Sequence, residues 1–297
     1  MTIPLAAEIL RPKSIDETLS ILAEKKGTAA ILAGGTDLIC KINDEIEKPE
    51  YIIDIIDLPL QYIESANGGG ITIGAGTTAA QILRSKLLSE KVPVMVKAAK
   101  HLGGPQTIEL ATVGGNVCNA SPCANFTNVL VALGAKVKIE GKGGSREESI
   151  QSLYSGLPGK SKLSSEEILI EIFIPPLPKS HGTSYIKHVL RREMDIAIVG
   201  VAVLIVPKGE QIENVKISLG SVGASVFLAE KAQNALKGKT YGRNILAKAG
   251  QIAAGKDASY IDDVRASASY RKRMTKVLVS KALMKAWIDA KSKGVEL

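Results

Sequence analysis

The stretch Thr112–Asn125, TVGGNVCNASPCAN, carries two adjacent glycines, Gly114 and Gly115. Residues without a Cβ allow the backbone to turn sharply and to bring its N–H groups close to an anion. Much earlier in the chain, Ile31–Leu38, ILAGGTDL, has the same arrangement. A single Gly-Gly pair is usually just a turn. Two of them, each following an apolar segment, predict a nucleotide diphosphate that is held from both sides.

Composition limits the class of protein. The chain of 297 residues is long enough for two domains, and its 45% hydrophobic and 23% charged residues are typical of a globular protein. One Trp, three Phe and seven Tyr are too few for a surface that stacks single-stranded nucleic acid. The net charge of +8 is spread over the chain, and its densest cluster, Arg271–Arg273, lies on a predicted helix. We expect this cluster to face solvent or a partner, and no nucleic acid to bind.

The three cysteines do not predict a metal site. Cys118 and Cys123 have the wrong spacing for a zinc knuckle, and adding Cys40 still gives too few thiols for an iron–sulfur cluster. An odd cysteine count without a signal peptide predicts a reducing, cytoplasmic location. No apolar run approaches the ~20 residues of a membrane span.

The order of predicted elements divides the chain into two domains. Residues 1 to about 58 are predicted to form a small βαβ unit, the first lobe of a domain that ends near residue 176. The second lobe, from residue 59 to 176, closes with the apolar strand Glu167–Ile174, which is followed by Pro175, Pro176 and Pro178. Prolines this dense do not occur inside a sheet, so we place the domain boundary there.

The second domain, residues 177–297, is predicted to hold a three-stranded antiparallel sheet followed by helices. The strands are Tyr185–Val189, Ile196–Val206 and Val215–Leu219. The long final helix after Val264 carries an apolar stripe that we expect to pack in the core: Met274, Val277, Leu278, Met284, Trp287 and Ile288.

The segment Gly74–Ala79, GAGTTA, matches the pattern GxGxxA and follows a predicted strand. On its own it would indicate a Rossmann dinucleotide site with Glu90 as a ribose partner. Two helices follow it where a second parallel strand is needed. A tight strand-to-helix turn capped by Thr78 is the competing interpretation.

Five motifs in this order resemble one family. They are AGGTDL from Ala33, TVGGN from Thr112, EIL from Glu167 before the prolines, Y-x-K-x-x-x-R-R-x-x-D-x-A from Tyr185 to Ala197, and SASYR from Ser267 to Arg271. Together they resemble the FAD-binding medium subunit of the molybdenum hydroxylases, the family of xanthine dehydrogenase, carbon monoxide dehydrogenase and nicotinate dehydrogenase.

The resemblance implies a mixed α+β fold: a two-lobed FAD-binding domain of the vanillyl-alcohol-oxidase (PCMH) type, followed by a C-terminal domain of the carbon monoxide dehydrogenase flavoprotein type. It also implies an oxidoreductase subunit with non-covalent FAD. Partner subunits would carry the molybdenum cofactor (large subunit) and two [2Fe–2S] clusters (small subunit), in a dimer of heterotrimers. Electrons would pass from the clusters through FAD to NAD or another acceptor, such as a quinone, ferredoxin or oxygen.

The resemblance implies flavin contacts but no catalytic or metal-binding residue in this chain. Backbone groups would enclose the diphosphate from one side (Ile31, Leu32, Ala33, Gly34, Gly35, Thr36, Asp37 and Leu38) and from the other (Thr112, Val113, Gly114, Gly115 and Asn116). Ile168 and Leu169 would form apolar walls, and Lys187 would lie near the isoalloxazine ring.

Three departures from the family pattern affect this site. Leu102 stands where xanthine dehydrogenase has an aromatic ring against the flavin. Asn125 replaces an Asp that contacts the ribityl chain, and it retains hydrogen-bonding capacity. Gln106–Glu109, QTIE, replaces QIRN before the second glycine pair. The histidines are expected to be ordinary polar residues, and no [4Fe–4S] cluster is expected.

Two rival functions remain open at this stage. The first is a self-contained NAD-dependent dehydrogenase built on Gly74–Ala79. The second is a nucleotide-loaded docking subunit without turnover.

Overall fold

The computed structural model describes residues 7–191 and 194–293. Within these ranges the chain forms three β-sheets. Lobe 1, at the N-terminus, is a parallel sheet with strand order β1–β3–β2. Its elements are β1 (Glu8–Leu10), α1 (Ile15–Lys25), β2 (Ala29–Leu32), α2 (Leu38–Asn43) and β3 (Tyr51–Asp54). The predicted βαβ unit is present; β1 was not predicted, because three residues show no period.

Lobe 2 is a five-stranded antiparallel sheet covered by six helices. Its strands, in the order β4–β5–β8–β6–β7, are β4 (Ile63–Ser65), β5 (Ile71–Gly74), β6 (Lys136–Gly141), β7 (Gly144–Ser149) and β8 (Glu167–Ile174). Its helices are α3 (Ala79–Arg84), α4 (Lys86–Lys91), α5 (Pro93–Lys100), α6 (Pro105–Leu110), α7 (Val113–Cys118) and α8 (Asn125–Leu133). The apolar strand predicted at Glu167–Ile174 is therefore β8.

The segment Gly74–Ala79 is not a dinucleotide fingerprint. β5 pairs antiparallel with both β4 and β8, so no parallel βαβ unit surrounds it. Thr78 caps α3 through a capping box with Gln81, and Glu90 lies exposed beside Lys86. The Rossmann interpretation is wrong, and the NAD-dependent dehydrogenase built on it loses its basis.

The C-terminal domain has a four-stranded antiparallel sheet where three strands were predicted. The order is β12–β11–β10–β9, with β9 (Gly182–His188), β10 (Val199–Lys208), β11 (Gln211–Gly220) and β12 (Phe227–Leu228). Its helices are α9 (Glu230–Leu236), α10 (Arg243–Ile252) and α11 (Ala268–Ser292). The edge strand β12 has two residues, too few for any sequence pattern.

Two expectations about α11 need correction. Leu278 and Trp287 are buried as predicted, but Val277 and Ile288 are more than half exposed, and Met284 is 38% exposed. A helix of 25 residues that packs on a sheet buries only one side, so the predicted stripe was too wide.

Arg271, expected on the surface, is also buried. Its guanidinium donates hydrogen bonds to the carbonyls of Ile198 and Ser221 and forms an ion pair with Asp263 at 2.7 Å. The charge is therefore compensated inside the domain, as a buried charge requires.

The C-terminal domain has an apolar core of its own, and a few of its residues also pack into the core of lobe 2. α8 lies against β10 and β11, and Tyr185 and Ala202 are buried in the same cluster as Phe126 and Leu130. The proline-rich segment after β8 leads to β9, which belongs to a different sheet. The division of the chain at residue 176 remains our proposal.

Candidate functional site

A pocket of about 610 Å³ lies where lobe 1, lobe 2 and the beginning of the C-terminal domain meet. Its size is in the range of small-molecule and cofactor sites. Of the eighteen predicted flavin contacts, all but Leu32 and Val113 contribute to its wall. Val113 is fully buried in the core of lobe 2, and Leu32 is the last residue of β2.

The first glycine pair joins the two lobes at one side of the pocket. A Cβ added to Gly34 would lie 1.9 Å from the carbonyl oxygen of Leu110, at the end of α6. Only glycine therefore allows residues 33–38 to approach lobe 2 so closely. Gly35 has a φ of +69°, in the left-handed region that favours glycine.

The amides of this first stretch are available to a ligand. Among the described residues, the structure gives no hydrogen-bond acceptor for the amides of Gly34, Gly35 and Thr36. These three residues all line the pocket. Consecutive unpaired N–H groups at a pocket wall are suited to bind phosphate oxygens.

The second glycine pair lies in the first turn of α7, which the sequence had predicted as a turn only. Thr112 caps this helix, with its Oγ1 accepting from the Gly115 amide at 3.0 Å. A Cβ on Gly114 would lie 2.6 Å from the carbonyl oxygen of Ala75, so this glycine serves close packing against the turn after β5.

The amides of this second stretch are already paired. Those of Val113 and Gly114 donate to the carbonyls of Thr77 and Ala75, and the Asn116 amide donates to the carbonyl of Thr112, all at 2.9–3.0 Å. The GAGTTA turn thus has a function that its pattern did not suggest: its carbonyls hold the start of α7 beside the pocket.

A hydrogen-bond network connects the two domains in another part of the pocket wall. Lys187 Nζ and Asn125 Nδ2 both donate to the carbonyl oxygen of His101, at 2.8 and 2.7 Å. The Tyr185 hydroxyl donates to Asn125 Oδ1 at 3.1 Å. An aspartate at position 125 could not donate to the His101 carbonyl, so the asparagine suits this network.

Lys187 lies half-buried in the pocket wall on β9. Burial lowers the pKa of its ammonium group, and the nearby Cys123 and Asp195 oppose that shift. An anion that entered the pocket would favour the charged form of this lysine further.

The three predicted apolar contacts Ile168, Leu169 and Leu102 lie in the pocket wall, beside apolar residues from other segments. Ile168 and Leu169 are buried in β8, and Leu102 follows α5. The departing sequence Gln106–Glu109 lies within α6, where the sequence had predicted an irregular loop; Thr107 lines the pocket and Glu109 pairs with Arg84.

Sequence reasoning missed several lining residues: Ala75, Thr107, Cys118, Asn119, Ser121, Cys123, Asp195 and Ile196. Most of them lie inside the motifs described above, and that position could have indicated that they line the pocket. Asp195 accepts hydrogen bonds from the amides of Leu190, Arg191 and Ile196, and these bonds lower its pKa. Arg192 of the same motif lies outside the described residues.

The described part of the chain holds neither a candidate metal site nor a helix that could span a membrane. In residues 7–191 and 194–293, no group of three or more His, Cys, Asp or Glu side chains is placed to hold a metal ion. No helix in those ranges has the length and apolar character to cross a membrane.

Two family models match the chain. The FAD binding domain in molybdopterin dehydrogenase matches residues 5–177, and the CO dehydrogenase flavoprotein C-terminal domain matches residues 184–286.

Relatives of known name match over nearly the whole length. The glyceraldehyde dehydrogenase medium chain of Sulfolobus acidocaldarius is 32% identical over 92% of this chain and 95% of its own. The carbon monoxide dehydrogenase medium chain of Afipia carboxidovorans is 30% identical over 98% of this chain and 100% of its own. A solved structure of carbon monoxide dehydrogenase from Hydrogenophaga pseudoflava superimposes with a TM-score of 0.93 at 28% identity, over 97% of this chain and 99% of that one.

Proposed function

The chain belongs to the family of FAD-binding domains in molybdopterin dehydrogenases, and from that premise we propose that it is the electron-transferring flavoprotein subunit of a molybdenum hydroxylase complex. It binds FAD non-covalently in the pocket between the lobes. Electrons arrive from [2Fe–2S] clusters on a small subunit and leave to NAD or another acceptor. The observation that carries the proposal is the pocket itself, whose wall contains both unpaired amides and a half-buried lysine.

The groups in the pocket wall suit the parts of a flavin dinucleotide. The amides of Gly34, Gly35 and Thr36 would bind the pyrophosphate, and Gly115 of the second stretch lines the same pocket. Ile168, Leu169 and Leu102 would contact the rings as apolar walls. When bound, FAD supplies the redox chemistry, because its isoalloxazine ring takes up and releases electrons.

Lys187 would serve the reduced state of the cofactor. A cation near the isoalloxazine stabilises negative charge on the reduced ring. Its hydrogen bond to the His101 carbonyl, shared with Asn125, fixes the ammonium group at the boundary between the domains. Asn125 would therefore influence the position of the Lys187 ammonium group, because both side chains donate to the same carbonyl oxygen.

The partners follow from the relatives. Several of these are named as medium chains or subunits, which supports a multi-subunit enzyme. We propose a large molybdenum-cofactor subunit and a small iron–sulfur subunit as partners, assembled as a dimer of heterotrimers. The substrate would be bound by the large subunit.

The test begins with the purified chain and its bound flavin. We expect one FAD per chain, released by acid precipitation without covalent residue and identified by chromatography. A colourless chain that takes up no FAD on titration would overturn the proposal.

Turnover separates the proposal from a docking subunit that merely holds a nucleotide. In the purified complex, the flavin absorbance should bleach when the substrate-side subunits are reduced, and an acceptor such as NAD should restore it. Flavin that stays oxidised while the iron–sulfur absorbance is bleached would favour the docking subunit.

A further inference from the structure

The outer face of α11 carries an unusual concentration of positive charge. Its exposed cations are Lys272, Arg273, Lys276, Lys281, Lys285 and Lys291, and no carboxylate is exposed on the helix. Within the described part of the chain, none of these six cations forms an ion pair. The one acidic residue of α11, Asp289, is partly buried, where it accepts from the Thr183 amide and pairs with Lys293.

An apolar centre lies among these cations. Val277, Met284 and Ile288 are 55%, 38% and 57% exposed, and their spacing of seven and four residues places them along one side of the helix. Isolated exposed apolar residues are ordinary, but an aligned set with a charged border is typical of interaction sites.

The charged surface continues onto lobe 2. Lys97 of α5 lies close enough to Lys285 for the two cations to interact. Partial burial and this repulsion both lower the pKa of Lys97. Like charges from two domains therefore face each other here, an arrangement that an acidic partner would relieve.

The chemistry of this face selects among possible occupants. A helix that lies on a membrane usually exposes aromatic residues, whereas Trp287 is buried and stacked on Tyr241 at 4.2 Å between ring centroids. Most hydrogen bonds to DNA go to phosphate and sugar, and the aliphatic side chains along this face cannot make them. A second copy of the same face would bring cations against cations.

We propose that the outer face of α11 is a docking surface for an acidic protein surface on another subunit of the complex. Carboxylates of the partner lie opposite Arg273, Lys281 and Lys285, around an apolar contact with Val277, Met284 and Ile288. The inference goes beyond the flavin site and does not depend on it; it depends on this chain being part of a multi-subunit enzyme.

The first test uses the complex with the wild-type α11, purified through a tag added to the N-terminus of this chain. Carbodiimide joins lysines directly to neighbouring carboxylates, and mass spectrometry identifies the joined peptides. We expect Lys281 or Lys285 to be joined to an Asp or Glu of a co-purified subunit. Cross-links from other lysines only, cross-links between two copies of this chain, or purification of the chain alone would each overturn the proposal.

The second test reverses the charge. The double variant Lys281→Glu, Lys285→Glu should lower the affinity for the partner subunit about tenfold or more at about 150 mM salt. The matched control is Lys142→Glu, Lys160→Glu, which makes the same charge change at exposed positions of lobe 2 and should retain the partner. Both variants should keep their FAD, which shows that they are folded and separates this result from the flavin proposal.

Equal partner affinity in both double variants would contradict the docking surface. So would sedimentation of the wild-type chain, but not of the α11 variant, with phosphatidylglycerol vesicles, because that result would assign the face to a membrane.

Discussion

The two glycine pairs look alike in the sequence but differ in the structure. In the first stretch, the amides of Gly34, Gly35 and Thr36 have no acceptor among the described residues, and these three residues line the pocket. In the second, the amides of residues 113–116 are all paired, three with carbonyls and one with the cap Thr112. We therefore expect the first stretch to bind a phosphate directly, whereas the amides of the second stretch already donate within the protein.

Within each pair, the two glycines have different structural roles. Gly34 and Gly114 are required for close packing, against Leu110 and Ala75 respectively. The other member of each pair borders the pocket with less protein around it: an added Cβ at Gly35 or Gly115 would meet only side-chain atoms. Substitutions can therefore separate folding from ligand binding.

The largest effect is expected for Gly34→Ala. The added methyl group would overlap the backbone carbonyl of Leu110. Because a backbone carbonyl cannot rotate aside as a side chain can, the two lobes would have to move apart. We expect a loss of about 3 kcal/mol or more in the free energy of unfolding, measured by urea denaturation, together with loss of FAD. Gly143→Ala is the control, since nothing lies within 4 Å of a Cβ there. Equal stability of the two variants would refute the packing role.

Gly114→Ala should cost less, about 2 kcal/mol, because the overlap with Ala75 is smaller. Under conditions where the variant remains folded, we expect its FAD affinity to be nearly normal. Fluorescence titration of the apoprotein measures this. A large loss of affinity in a folded Gly114→Ala chain would mean that the second stretch binds the ligand more directly than its paired amides suggest.

Gly35→Ala is expected to lower FAD affinity more than stability, the opposite of Gly114→Ala. Its left-handed φ of +69° adds a strain of about 1–2 kcal/mol for a residue with a Cβ. Relief of that strain would turn the neighbouring amides away from the pocket, so FAD affinity should fall by tenfold or more. Comparison with Gly114→Ala by the same titration is the check; equal affinities would remove the difference between the two stretches.

The smallest effect that we expect is a dependence of FAD affinity on pH, caused by Lys187. Backbone amides do not titrate, whereas burial lowers the pKa of Lys187 below its ordinary value of 10.5. As the pH rises through this lowered pKa, the folded apoprotein loses the charge, and FAD binding should weaken. Lys187→Met should bind FAD less well at neutral pH and lack this dependence, while Lys187→Arg should keep its affinity as the pH rises. A titration that is identical for wild type and Lys187→Met would contradict the role of the ammonium group.

The sequence predicted the pocket's residues better than their roles. Motif order placed Ile31–Leu38, Thr112–Asn116 and Lys187 in one family site, and the pocket brings nearly all of them together. The pairing of amides was beyond its reach, because the acceptors Ala75 and Thr77 belong to a segment whose pattern suggested a different fold.

Other features could not be predicted from the sequence, either because the strand is very short or because the contact forms only in the folded chain. β1 and β12 were missed because a strand of two or three residues has no period. The burial of Arg271 was missed because its partners, Ile198, Ser221 and Asp263, come together only in the folded domain.

The most direct measurement is a crystal structure of this chain with FAD. We predict that the pyrophosphate oxygens accept hydrogen bonds from the amides of Gly34, Gly35 or Thr36, and that the amides of Val113 and Gly114 keep their bonds to Thr77 and Ala75. A pyrophosphate bound by the amides of residues 113–116, or FAD bound outside the pocket, would contradict this.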